Sequence, residues 1–401
     1  MTELRPVQGR LAVPAAPAYG SRSAADLLPA AVTALGLPGY GNALLGLPAS
    51  GDAPPGLPAA NRICLLIVDG LGAELLRQHA ADAPFLTALA AGRSSTLAVG
   101  FPATTATSMA SFGTGLPPGE HGMFGYQVRD PARDVLLNLL RWDQVTDPVS
   151  WQPEPTVFER TRAAGLPGFH VGPAAFAQSP LTRAVWRGAE YLPTDGPGAL
   201  VAGADVAVRR EPRSLTVAYH SALDHAGHVY GSESAAWVNE LALVDRMVER
   251  LAAALPDDAL LLVTGDHGMV DVPVSGRIDI DAEPALRAGV ALLGGEGRAR
   301  HVYTRPGALA DVQAAWTALV GDAAWVRSRD EAIAAGWFGP VVRPELRGRL
   351  GDLIVAADRG AALVANAAEP GESRMAGLHG SIHPADVEVP LLLARGGAPL
   401  S

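Results

Sequence analysis

Five short segments of the chain concentrate Asp, His and Thr, the side chains that ligate metals or attack phosphorus. They are IVDG, ending in Asp69-Gly70; FPATTATSMASFGTG, with Thr104 and Thr105; DHAGH, residues 224–228; TGDHGM, with Asp266 and His267; and GLHGSIHP, with His379 and His383. Each segment taken alone has an ordinary explanation. Asp69 can cap a turn, a threonine can cap a helix, and a loop histidine is usually not a ligand. Five such segments in one chain make a stronger case than any one of them.

Asp224 and His228 are four residues apart, so one helical turn puts both on one face, where they can share a metal. In a loop, Gly227 would supply the bend instead. Asp266 and His267 are adjacent and converge on one ion at a strand-to-loop bend. His379 and His383 are equal candidates on spacing. Three Asp, three His and a hydroxyl form a mixed nitrogen and oxygen set that suits Zn²⁺, with Mn²⁺ or a similar ion as substitute. Two divalent ions about 4 Å apart would use that many ligands. One would activate a threonine and the other polarise a phosphoryl oxygen, the helix start after Thr104 and Thr105 favouring the anion.

Elements with the right spacing precede these residues. Apolar runs predict strands at Ile63–Val68, Gly168–Val171, Leu215–Tyr219, Ala259–Val263 and Val389–Leu393. The runs ICLLIV and ALLLV are continuous, as in strands buried on both faces of a parallel sheet. Helices are expected at Ala106–Gly113, Val157–Ala164 and Ser234–Ala254, and one capped by Ser23 that stops at Gly36. The alternation predicts an α/β fold, a doubly wound and mostly parallel sheet flanked by helices. In such sheets the strand C-termini face the ligand crevice. Residues 1–60 read as an arm and helix packed on the core. Residues 61–269 and 371–401 read as the catalytic domain. Residues 270–370 read as an inserted α+β subdomain, with strands at 301–305 and 352–358 and helices at Leu309–Val320 and Glu331–Ala335.

Composition narrows the chemistry. The 401 residues carry 31 basic and 41 acidic side chains, a net charge of −10 that argues against a stable nucleic-acid or anionic-membrane partner. No lysine is present, which excludes a lysine Schiff base and a Walker A loop. Cys64 is the single cysteine, so neither an intramolecular disulfide nor a cysteine zinc finger can form. Without an apolar leader or an 18-residue apolar run, the expectation is a cytoplasmic protein with no membrane span.

In order and spacing, Asp69, the block from Phe101-Pro102 through Thr105 to Thr114-Gly115 and His121-Gly122, Asp224 with Gly227-His228, Asp266-His267-Gly268-Met269 and the late His379-Gly380 resemble the alkaline phosphatase superfamily. The pattern is similar to its type I phosphodiesterase/nucleotide pyrophosphatase branch over residues 63–393. The resemblance implies that Thr105 is the nucleophile and is transiently phosphorylated. It implies that Asp69, Asp266, His267 and Thr105 hold one zinc, and that Asp224, His228 and His379 hold the other. The implied substrate is a small phosphate ester or a nucleotide. The branch usually carries Pro-Asn-His after the nucleophile; here Thr107-Ser108-Met109 stands there, leaving Ser108 as the shorter candidate for a phosphoryl oxygen. Phe124 and Tyr126 are candidates to stack on a leaving group. Alternative readings on the same scaffold are a phosphomonoesterase, with Arg129 or Arg141 reaching the phosphate, or a phosphonate hydrolase. Outside the enzymes, a metal-stabilised binding protein that has lost activity is the remaining reading. A sulfatase lacks its modified Cys or Ser setting here, and a phosphoglycerate mutase normally uses serine.

Overall fold

The structure is a computed structural model that describes residues 14–39 and 56–397. The remainder of the expected N-terminal arm lies outside the described residues. At the centre is a seven-stranded sheet of β1 (Arg62–Val68), β2 (Ser94–Ala98), β3 (Gly168–Pro173), β4 (Glu190–Thr194), β5 (Ser214–His220), β6 (Ala259–Gly265) and β7 (Glu388–Arg395). Their spatial order is β2-β7-β6-β1-β5-β3-β4. All pair in parallel except β7, which runs antiparallel to both β6 and β2.

The central strand shows why the sheet is doubly wound. Ile63, Leu65 and Ile67 of β1 enter one apolar cluster, and Cys64, Leu66 and Val68 enter the cluster on the opposite face. Both faces are therefore buried, which the unbroken apolar run requires. On the first face lie α1 (Ala24–Ala34), capped by Ser23 and Asp26, and α2 (Thr105–Thr114). The other face holds α4 (Ala235–Ala254), entered from α3 (Ala222–Tyr230). Strands β2 and β4, which the apolar runs do not predict, are the two edges of the sheet. β2 is polar and partly exposed, and β4 contains Pro193, which an edge strand tolerates.

Within residues 270–370, strands Val290–Glu296, Ala299–Thr304, Leu353–Ala357 and Ala324–Ser328 form an antiparallel sheet in that spatial order. The helix Leu309–Val320 packs on it through Val312 and Trp316. This segment has a small core of its own and also joins the main one. Trp337 and Phe338 pack on Phe101 at 5.1 and 5.6 Å between ring centroids. Among the described residues no helix is long and apolar enough to cross a membrane.

Candidate active site

Register brings the acidic residues to one level. Val68, the last residue of β1, pairs with His220 of β5 and with Gly265 of β6. Asp69, Ser221 and Asp266 therefore leave the sheet side by side at its C-terminal edge. Ser221 precedes α3, and Asp224 sits in that helix's first turn with His228 one turn on. DHAGH is thus helical, and Gly227 serves packing rather than bending: a Cβ there would lie 2.1 Å from the Met269 sulfur. Gly70 has a second role. Its φ is +76°, a Cβ on it would meet the Asp224 Cα at 3.1 Å, and its N–H donates to Asp266 Oδ1 at 3.2 Å.

The ligand atoms fall into two overlapping groups, Asp224–His228–His379 and Asp69–Asp224–His267, the atoms of each within 4.8 Å of one another. Asp224 belongs to both. Asp266 adjoins the second group, its Oδ2 3.8 Å from His267 Nε2. Thr105 opens α2, and its hydroxyl is 3.3 Å from His267 Nε2. Thr104 is the N-cap, yet its hydroxyl makes no capping bond and instead donates to Glu296 Oε2 at 3.3 Å.

The three histidines share one wiring. Nδ1 of His228, His267 and His379 lies 2.8–2.9 Å from the carbonyls of Gly377, Gly268 and Ala103. A carbonyl accepts, so each Nδ1 carries the hydrogen and each Nε2 faces the cluster, as second-shell carbonyls orient metal-binding imidazoles. His228 Nε2 then confronts Asp224 Oδ1 at 3.3 Å, and His267 Nε2 confronts Asp69 Oδ1 at 3.2 Å. For neutral rings both members of each pair are acceptors, and such a pair needs a proton or a cation between its members. Among the described residues, no hydrogen-bond donor meets the buried Asp69 Oδ1, Asp224 Oδ1 and Asp266 Oδ2. These orphaned oxygens and lone pairs fit divalent ions.

Without cations the cluster takes up protons. Burial, then the Asp69 carboxylate, pushes Asp224 well above the usual carboxyl range. The same two causes lift Asp266 to about 8. Burial opposes charge on His267, but Asp266 and Asp69 raise it well above its ordinary value. Burial, His267 and His228 hold His379 well below. Burial also opposes charge on Asp69, yet the hydrogen bonds of His267 and Tyr219 leave its carboxyl below the usual range.

Beside the cluster opens a cavity of about 390 Å³ whose lining includes Asp69, Thr105 and Asp224. Its walls are Met109, Leu140, Phe176, Leu181, Trp186 and Tyr219, with His170 and His225. Other expected residues are placed elsewhere. Ser108 is fully buried, its hydroxyl has no partner among the described residues, and it is not in the cavity lining. Phe124 is core, packed on Phe338, and Tyr126 donates to Glu372. Arg129 pairs with Asp134 at 2.8 Å, and neither it nor Arg141 lines the cavity. His383 accepts from the Ala385 N–H and lies outside both ligand groups.

Three polar neighbours escape the motif reading. Tyr219 donates a hydrogen bond to Asp69, Glu296 reaches Thr104 from the 290–357 sheet, and His170 lines the cavity. Tyr219 ends a predicted strand and so could have been found. Glu296 follows two glycines with no chemical companion nearby in sequence.

A model of the type I phosphodiesterase/nucleotide pyrophosphatase family matches residues 63–382. Murine ectonucleotide pyrophosphatase/phosphodiesterase 5, solved as an inactive variant with AMP, superposes with a TM-score of 0.67 at 18% identity over 84% of this chain and 88% of that one. Phosphonoacetate hydrolase from Sinorhizobium meliloti 1021, solved with phosphonoformate, gives 0.66 at 17% identity over 88% and 94%. At these identities the likeness is one of fold. Alkaline phosphatase PhoD from Zymomonas mobilis is 38% identical over 84 residues, 20% of this chain and 14% of that protein, so the chain matches a small part of that relative's length. With the family model spanning residues 63–382, from the first central strand past His379, the chain belongs to the type I phosphodiesterase/nucleotide pyrophosphatase family.

Proposed function

We propose that this protein is a phosphodiesterase or nucleotide pyrophosphatase, hydrolysing small organic phosphodiesters or phosphoanhydrides with Thr105 as nucleophile. The observation that carries the reading is the position of Thr105, which lines the cavity with its hydroxyl 3.3 Å from His267 Nε2, beside carboxylate oxygens that lack donors among the described residues. Thr104 is the weaker candidate because it is 1% exposed and bonded to Glu296.

Asp69, Asp266, His267 and Thr105 would hold one divalent ion, and Asp224, His228 and His379 the other; zinc suits the donors and manganese could substitute. When bound, such ions acidify a hydroxyl and offset phosphoryl charge. The protein's part is positional. The start of α2 presents Thr105 Oγ and first-turn amides to the phosphoryl group. Thr105 Oγ bonds to phosphorus as the bond to the leaving oxygen breaks, and the threonine proton departs with the leaving alcohol. Water then cleaves phospho-Thr105, restoring the hydroxyl and releasing the phosphorylated product. Two displacements retain configuration at phosphorus.

A diester has a second organic arm, and the cavity next to Thr105, with Met109, Leu140, Phe176, Leu181 and Trp186 in its lining, offers room for it. A monoester or phosphonate carries an additional negative charge, which Arg129 or Arg141 would have to meet, and neither lines the cavity. The test is hydrolysis of bis(p-nitrophenyl) phosphate beside p-nitrophenyl phosphate, with Zn²⁺ and with chelator. Faster, metal-dependent diester turnover is expected. Faster monoester turnover would overturn the diester preference, and turnover of neither would favour a binding protein.

A further inference from the structure

His170 sits in the middle of β3, where its neighbours Phe169 and Val171 enter the apolar cluster on one face of the sheet. Alternation along the strand turns its imidazole to the opposite face, toward the cavity it lines. The ring is 3% exposed. It stacks on Tyr191 at 4.9 Å and 24°, and packs on Trp186 at 5.0 Å. Two aromatic neighbours therefore fix its orientation. Neither ring nitrogen has a hydrogen-bond partner among the described residues. A buried polar group without a partner is costly, and a phenylalanine would fill the same stack without that cost. Burial drives its pKa down to about 3, so the ring is neutral, with one N–H donor and one acceptor.

Resting on the phosphodiester reading above, we propose that His170 is a specificity-determining residue that hydrogen-bonds a neutral polar group on the substrate's organic arm. The arm it selects has a planar or apolar body, matched to Phe176, Trp186 and Tyr219, and a neutral group such as a hydroxyl or carboxamide that meets the imidazole. A neutral imidazole offers no charge to a second anion.

The test uses two non-hydrolysable, singly charged diester mimics, benzyl(methyl)phosphinate and 3-carbamoylbenzyl(methyl)phosphinate, titrated calorimetrically into the Zn²⁺-loaded protein. The wild type should bind the carbamoyl compound about tenfold more tightly, roughly 1.4 kcal/mol, the scale of one net hydrogen bond. His170→Phe should erase that preference and leave benzyl(methyl)phosphinate affinity little changed. His170→Asn, which restores a donor and an acceptor, should recover part of it. Circular dichroism checks folding of both variants, and His170→Leu replaces His170→Phe if the latter does not fold. Equal affinities in the wild type, or a preference that survives in His170→Phe, would overturn the proposal. If neither probe binds while bis(p-nitrophenyl) phosphate is still hydrolysed, the inference falls and the enzyme reading stands. If the preference is present without turnover of any ester, the binding residue stands and the enzyme reading falls.

Discussion

Thr105→Ala removes the hydroxyl beside His267 and leaves the carboxylates and imidazoles around it in place. Turnover of a diester should fall roughly a thousandfold or more, as when a nucleophile is lost, while bound metal stays near the wild-type level. Kinetics and metal analysis of the same sample check both halves; undiminished turnover would shift the role to Thr104 or to water. For the histidines, His379→Ala should lose one metal ion per chain and His383→Ala none, because His379 Nε2 faces the cluster and His383 caps a short helix. The carboxyls add a pH dependence. Asp266 rises from 3.8 to about 8 in the folded chain, and Glu296 from 4.5 to about 8, burial being the first cause of both. Groups raised in this way bind more protons folded than unfolded. Their stabilisation is complete below about pH 4 and is lost as pH rises toward 8. Asp69, shifted down, acts in the opposite direction, with its stabilisation lost in acid. Buried histidines held low, such as His170 and His379, add stability as pH rises to about 6.5, so the chelated protein should lose melting temperature above about pH 7, more steeply than its Asp266→Asn variant. Zinc should reverse the trend, since metal uptake releases those protons. A chelated protein whose melting temperature rises over that range would contradict this electrostatic picture.

At the scale of elements, the centre depends on close approach between loops and helices that the strands hold in register. Gly70 makes the clearest test, with its positive φ and the Asp224 backbone 3.1 Å from any added Cβ. Gly70→Ala should push α3 away from Asp69. We expect about 1–3 kcal/mol of destabilisation and lowered metal content, read by thermal melting and by metal analysis. Full metal loading in a folded Gly70→Ala protein would show that the two helix-borne ligands do not need this contact. The strands that carry these loops were legible because ICLLIV and ALLLV are long apolar runs, buried on both faces as their composition requires. The edge strands were not, because an edge needs neither a continuous apolar run nor freedom from proline. The helix holding Asp224 and His228 was left open between helix and loop, since Gly227 reads as a breaker in sequence and its packing against Met269 appears only in three dimensions.

Over the whole molecule, the 290–357 sheet is tied to the C-terminal ligand segment by a buried ion pair. Arg298 reaches both carboxylate oxygens of Asp386 at 2.8 Å, and neither side chain is exposed. The same carboxylate accepts the Ser381 N–H, two residues after His379. Removing one partner leaves the other charge buried and unpaired, so Arg298→Met should cost about 3–5 kcal/mol in a denaturant titration. Metal affinity should fall with it, because the loop bearing His379 loses its anchor. A loss in stability with unchanged metal affinity would confine the pair to structure. None of this was legible from spacing. The motifs pointed to the candidate ligand residues because chemistry restricts residue type there, whereas Arg298, Glu296 and His170 meet neighbours distant in sequence.

The central claim is that Asp69, Thr105, Asp224, His228, Asp266, His267 and His379 enclose two cations at one edge of the sheet. Zinc-edge anomalous diffraction from metal-loaded crystals tests it most directly. The account predicts two peaks about 4 Å apart, one against Asp69, Asp266, His267 and Thr105 and the other against Asp224, His228 and His379. A single peak, or peaks away from these side chains, would contradict it.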